Sequence, residues 1–106
     1  SITNIDCGLK CNIKDVVDLD VLMWDDILTK LFHMTDVSKP SLKSVKNYKD
    51  MLERNQEGVV NFNKLTYCYL ENNILYVFNR QKLYDKFSMT IFKSSHWKLI
   101  KENMNI

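Results

Sequence analysis

Residues 53–65, ERNQEGVVNFNKL, contain Gly58, one of only two glycines in the chain. Oxygen-bearing side chains precede this glycine, two valines follow it, and the stretch then runs into a segment rich in apolar and aromatic residues. Such a stretch is either an ordinary turn between helices or a loop built to hold a metal ion. The interpretation of the whole chain depends on which of the two it is.

The composition is that of a globular domain. The chain has 106 residues, of which 45% are hydrophobic and 26% charged, so we expect a single domain, residues 1–106, with its own core. It begins without methionine and without a signal-peptide pattern, and we expect it to be a fragment of a larger protein. No apolar run is long enough to cross a membrane. The net charge of only +2 argues against nucleic acid as a partner.

The three cysteines predict reduced thiols in the cytoplasm, because an odd count does not fit a disulfide scaffold. Cys7 and Cys11 have no matching pair of zinc ligands downstream, so we expect structural thiols.

No catalytic group is evident in the sequence. A candidate nucleophile with its base would be Ser94, Ser95 and His96, but these are neighbours in sequence and do not form a nucleophile with a positioned base. We therefore predict that the protein is not an enzyme.

Helical periodicity dominates the chain, since two glycines and one proline give too few breaks for an all-β domain. Ser41 and Asn79 are suitable N-caps, and Ile91 continues the apolar stripe of the helix that follows Asn79. Helices are predicted at about 20–34, 41–53, 62–72, 79–92 and 97–104. The predicted fold class is all-α: a compact bundle of four to five helices, with at most a very short β-bridge near 59–61.

The stretch 53–65 fits the twelve-position loop of an EF-hand. With Glu53 at position 1, Gly58 occupies position 6, where the sharp turn needs glycine, and Val60 occupies position 8. Lys64 stands at position 12, where a bidentate glutamate belongs, so we expect the loop to have lost its ion. No cofactor is therefore expected. If calcium did bind, its ligands would be Glu53, Asn55, Glu57, the Val59 carbonyl and Asn61.

EGVVNFNKL resembles the second half of calmodulin-like hands, and NIKDVVDLDVLMWDDIL resembles the linker and entering helix of calcium-dependent protein kinases of the apicomplexan type. QKLYDKFSM and WKLIKENM are similar to the two helices of a further hand with a shortened loop. The chain is thus identified as a member of the degenerate EF-hand, calmodulin-like family. The resemblance implies paired EF-hands and a regulatory domain.

Two functions follow from these patterns. The first is a non-catalytic regulatory or adaptor domain that binds an amphipathic helix, of another protein or of the parent chain, largely without calcium. Its predicted apolar groove comprises Phe32, Leu52, Leu65, Tyr69, Phe87 and Met89. The alternative is a small helical or winged-helix nucleic-acid module, whose basic helix 39–49 would present Lys39, Lys43, Lys46 and Lys49 to phosphates.

Overall fold

The segment after residue 65 forms a β-hairpin and not a helix. In the computed structural model, which describes residues 1–90 and 92–106, strand β4 (Thr66–Glu71) pairs antiparallel with strand β5 (Ile74–Asn79). Asn72 and Asn73 join them, both with positive φ (52° and 60°). Asparagine tolerates this left-handed backbone better than most residues, and two such residues in succession make the tight turn that suits a twisted hairpin.

Strand β5 is the middle strand of a five-stranded antiparallel sheet. The other strands are β1 (Ile2–Ile5), β2 (Gly8–Asn12) and β3 (Gly58–Val60), and the spatial order is β1-β2-β5-β4-β3. Leu75 and Val77 of β5 point to one face of the sheet, and Tyr76 and Phe78 point to the other. All four side chains are buried, so both faces of the sheet are covered.

Helices α1 (Val21–Met34) and α2 (Leu42–Glu53) cover the first face, as the periodicity predicted for both segments. The Asp20 and Ser41 side chains accept hydrogen bonds from backbone N–H groups in the first turns, which confirms Ser41 as the predicted cap of α2. The Trp24 and Tyr48 rings meet edge to face, with centroids 4.9 Å apart, and join the two helices in one core.

The second face is covered by helices α3 (Arg80–Phe87) and α4 (Trp97–Met104), with a 3₁₀ turn at Ser94–His96 before α4. Trp97 stacks on Tyr69 with ring centroids 4.4 Å apart. Beside this stack, the Lys101 ammonium lies 2.9 Å from the Glu71 carboxylate and lowers the pKa of that carboxyl group. An aromatic stack and an ion pair thus attach α4 to strand β4.

The all-α prediction is wrong, because five strands form a central sheet. The third predicted helix, 62–72, is replaced by a loop and strand β4, and strands β1 and β2 lie where no element was predicted. The fourth predicted helix ends at Phe87 instead of residue 92, and its Ile91 lies outside the described residues. Asn79 does cap that helix, and the helix predicted at 97–104 is confirmed.

The EF-hand identification is wrong for the same reason. Gly58 does have a positive φ of 126°, but it begins strand β3, which pairs with β4. No helix exits the supposed loop, because residues 61–65 lead into β4. The resemblance to a helical, calmodulin-like domain is therefore wrong, and with it the association with calcium-dependent protein kinases. Among the described residues, no helix has the length and apolarity needed to cross a membrane.

Gly8 sits where strand β2 approaches β5 too closely for any side chain. A Cβ atom on residue 8 would lie 1.9 Å from the Val77 carbonyl oxygen.

We expect Gly8→Ala to lower the free energy of unfolding by about 3 kcal/mol or more, because a backbone atom of the central strand must move. Urea denaturation followed by circular dichroism measures this change. Thr3→Ala on the exposed edge strand serves as the control, with an expected change within about 0.5 kcal/mol. A Gly8→Ala protein as stable as the wild type would contradict the prediction.

Candidate functional site: a basic edge with an apolar pocket

Two loops meet at the end of the sheet, at the junction where strand β5 passes directly into helix α3. Asn79 makes this junction: its Oδ1 accepts a hydrogen bond from the Lys82 N–H (3.2 Å), and its Nδ2 donates to the Thr35 carbonyl (3.0 Å). One side chain therefore caps α3 and holds the loop between α1 and α2. The position of that loop depends on the start of α3.

Asn63 ties the second loop, between β3 and β4, to the same place. Its Nδ2 donates to the Ser38 carbonyl (3.1 Å), and its Oδ1 accepts from the Leu65 N–H (2.9 Å). The Leu65 carbonyl in turn accepts from the Arg80 N–H at 2.9 Å. The two loops and the start of α3 thus form one hydrogen-bonded surface.

This surface concentrates positive charge. We call it the basic edge and define it by five cations: Lys39, Lys43, Lys64, Arg80 and Lys82. Two acids contact them, since Lys39 pairs with Asp25 and Lys82 with Asp36, each at 3.5 Å. The edge with these acids has a net charge of +3, although the whole chain has only +2. The remainder of the protein is therefore slightly negative.

Three of these cations carry uncompensated charge. In the part of the chain that the structure describes, Lys43, Lys64 and Arg80 have no carboxylate within 4.0 Å. Helices α2 and α3 also begin at this edge, and the N-terminus of a helix carries partial positive charge. Side chains and backbone dipoles thus act in the same direction, and the edge attracts anions.

A pocket of about 520 Å³ opens within the basic edge. Apolar walls come from Val37, Leu65, Tyr84 and Met89, and we call it the Tyr84 pocket. Leu65 is 49% exposed and Tyr84 is 43% exposed, which is high for side chains of this size. Lys64 and Arg80 also line it, so an apolar cavity is flanked by two unpaired cations.

The predicted calcium ligands are dispersed by this fold. Glu53, Asn55 and Glu57 line a second, more polar pocket beside Asp18, whereas Val59 lies in strand β3 and Asn61 is exposed beyond it. Glu57 accepts a hydrogen bond from the Asn72 N–H at 2.6 Å, and this bond joins the start of β3 to the turn between β4 and β5.

Lys64 lines the Tyr84 pocket and not this one. Among the described residues, no three acidic, cysteine or histidine side chains group as metal ligands. The residues present do not fit the EF-hand arrangement of oxygen donors.

The predicted apolar groove is divided between the two sides of the sheet. Phe32 is buried in the core beneath α1 and α2, and Leu52 packs against the same core. Tyr69, Phe87 and Met89 pack on the opposite face. Of the six predicted residues, Leu65 and Met89 line the Tyr84 pocket.

The predicted basic helix is partly present. Lys43 and Lys46 are exposed on α2, but Lys49 is turned inward, where its ammonium donates to the Val17 carbonyl at 3.0 Å.

Two residues of the site, Arg80 and Tyr84, were not predicted from the sequence. They are four residues apart on the short helix that follows the capping Asn79, so both side chains lie on one side of that helix. This spacing was the signal in the sequence that could have identified them.

None of the three cysteines is an activated nucleophile. Burial raises the pKa of the Cys68 thiol to about 12 and also raises that of Cys11. At Cys7, burial and the neighbouring Asp6 carboxylate raise the pKa to about 11. The expectation of structural thiols agrees with this environment.

Comparison of the chain with protein-family models, with curated proteins and with solved structures finds no match in any of the three.

Thiol modification tests the cysteine environments. Because a raised pKa leaves less thiolate at pH 8 than in an ordinary cysteine, we expect Cys11 and Cys68 to resist iodoacetamide in the native protein. Half-buried Cys7 should react slowly. Peptide mass spectrometry measures each site, and the protein unfolded in urea, where all three should react, is the control. Rapid labelling of native Cys68 would contradict the prediction.

Proposed function

We propose that this domain is a non-catalytic module that binds nucleic acid through the basic edge. The observation that carries the proposal is the presence of five cations on the α1–α2 loop, on the β3–β4 loop and on the first turns of α2 and α3, which hydrogen bonds join at one edge, in a chain whose net charge is only +2. A phosphate backbone needs several cations along one surface, and sequence-distant lysines meet that need only when the fold assembles them.

The geometry favours an extended polyanion over a single small anion. Lys43 and Lys46 are exposed on α2, and Lys64 and Arg80 line the Tyr84 pocket. Lysine supplies most of these contacts, and lysine acts as a point charge without the bidentate geometry that reads bases. The proposed binding therefore depends on salt and shows little sequence preference.

Paired lysine substitutions test this function. We expect Lys43→Ala/Lys64→Ala to weaken binding roughly tenfold at low salt and to reduce the slope of log K against log salt by about 1.4 to 1.8, because two phosphate contacts are lost. Fluorescence anisotropy with a labelled 20-nucleotide strand, as single strand and as duplex, measures both quantities.

The matched control is Lys14→Ala/Lys98→Ala, which removes the same total charge. Lys14 follows strand β2 at the far end of the sheet, where the Ile13 N–H donates to the Asn73 carbonyl, and Lys98 lies on α4. This pair should change binding little. Equal losses in the two double variants, or no binding by the wild type, would overturn the proposal. The helix-binding role predicted from the sequence would then become the leading function.

A further inference from the structure

We infer that the Tyr84 pocket takes one unstacked base of a single-stranded nucleic acid. The inference rests on the proposed function and narrows it, because it names the form of nucleic acid that the site accepts. It is carried by a different observation, namely the apolar cavity, which phosphate binding alone does not require.

The walls of the pocket suit a nucleobase. Tyr84 supplies an aromatic ring that is 43% exposed, and Leu65 and Met89 supply aliphatic surface beside it. Bases released from a helix stack on exposed aromatic side chains, and such stacking tolerates any base because every base has a π-face. Leu65 and Tyr84 are both exposed at this cavity, and exposed apolar surface of this kind marks sites for ligands or partners.

The size of the pocket suits a single nucleotide. Its volume of about 520 Å³ lies within the range of small-ligand sites and holds one base with its sugar. A base within a duplex is paired and stacked, so it cannot enter unless it is first pulled out of the helix. A single strand presents its bases without that cost, which is why we infer a single strand.

Charges at the rim fit the phosphates on either side of the inserted base. Lys64 and Arg80 flank the apolar walls, and one guanidinium nitrogen of Arg80 donates to the Thr90 carbonyl at 3.3 Å. This bond anchors the guanidinium at the rim and leaves its other N–H groups for a phosphate. Asp36 also lines the pocket, but Lys82 lies 3.5 Å from its carboxylate and offsets the repulsion.

The second pocket does not offer an equivalent site. Asp18, Glu53 and Glu57 line it, and three carboxylates repel the phosphates that accompany any base. Only one of the two pockets thus combines apolar walls with cations.

Abasic oligonucleotides separate base recognition from phosphate binding. The experiment measures anisotropy of labelled oligothymidylate of ten nucleotides, of an abasic strand of the same length, and of a matched duplex. The wild type should bind oligothymidylate about 5- to 100-fold more tightly than the abasic strand, as expected for one base stacked on an aromatic side chain. Tyr84→Ala should remove this preference while leaving abasic binding unchanged, and Tyr84→Phe should retain it.

Leu99→Ala is the matched control, since Leu99 has a similar exposure of 39% but lies on α4. It should leave the preference intact. Equal wild-type affinity for the abasic strand and oligothymidylate would overturn the inference while the proposed function stands. Failure to bind any of the three oligonucleotides would overturn both. Binding of an acidic amphipathic peptide that is lost in Tyr84→Ala, without oligothymidylate binding, would assign the pocket to a protein partner instead.

Discussion

The structure depends on the burial of strand β5 on both of its faces. Leu75 and Val77 belong to the core beneath α1 and α2, while Tyr76 and Phe78 belong to the core beneath α3 and α4. A strand buried on both faces needs partners along both edges, and β2 and β4 provide them. Gly8 permits the close approach of β2, so the absence of one side chain allows the middle of the sheet to form.

The candidate site depends on two asparagines more than on the core. Asn63 and Asn79 each bond to a backbone carbonyl of the loop between α1 and α2; Asn63 also bonds within its own loop, and Asn79 also caps α3. These bonds hold cations from distant parts of the sequence on one surface. Leu65 in the β3–β4 loop and Tyr84 on α3 are exposed around a pocket at the same place. The hydrogen bonds of the two asparagines therefore bring charged side chains and exposed apolar surface together.

The error over residues 62–72 has a physical cause. A strand with one exposed face alternates apolar and polar residues, but β4 is covered on both sides and reads as a nearly continuous apolar run from Tyr67 to Leu70. Such a run also satisfies helical spacing, and Phe62 and Leu65 extended that pattern upstream. The EF-hand template added to the error, because a single glycine and several oxygen-bearing side chains satisfied it without the two flanking helices that define the motif.

By itself the sequence determined the helices at 21–34, 42–53 and 97–104 and the caps at Ser41 and Asn79, because amphipathic spacing and capping are local properties. The tertiary structure alone decided the sheet, since pairing brings Gly8 beside Phe78 across most of the chain. It also decided the basic edge. The sequence distributes Lys43, Lys64 and Arg80 through a nearly neutral chain, and only long-range hydrogen bonds between loops place their charges on one surface.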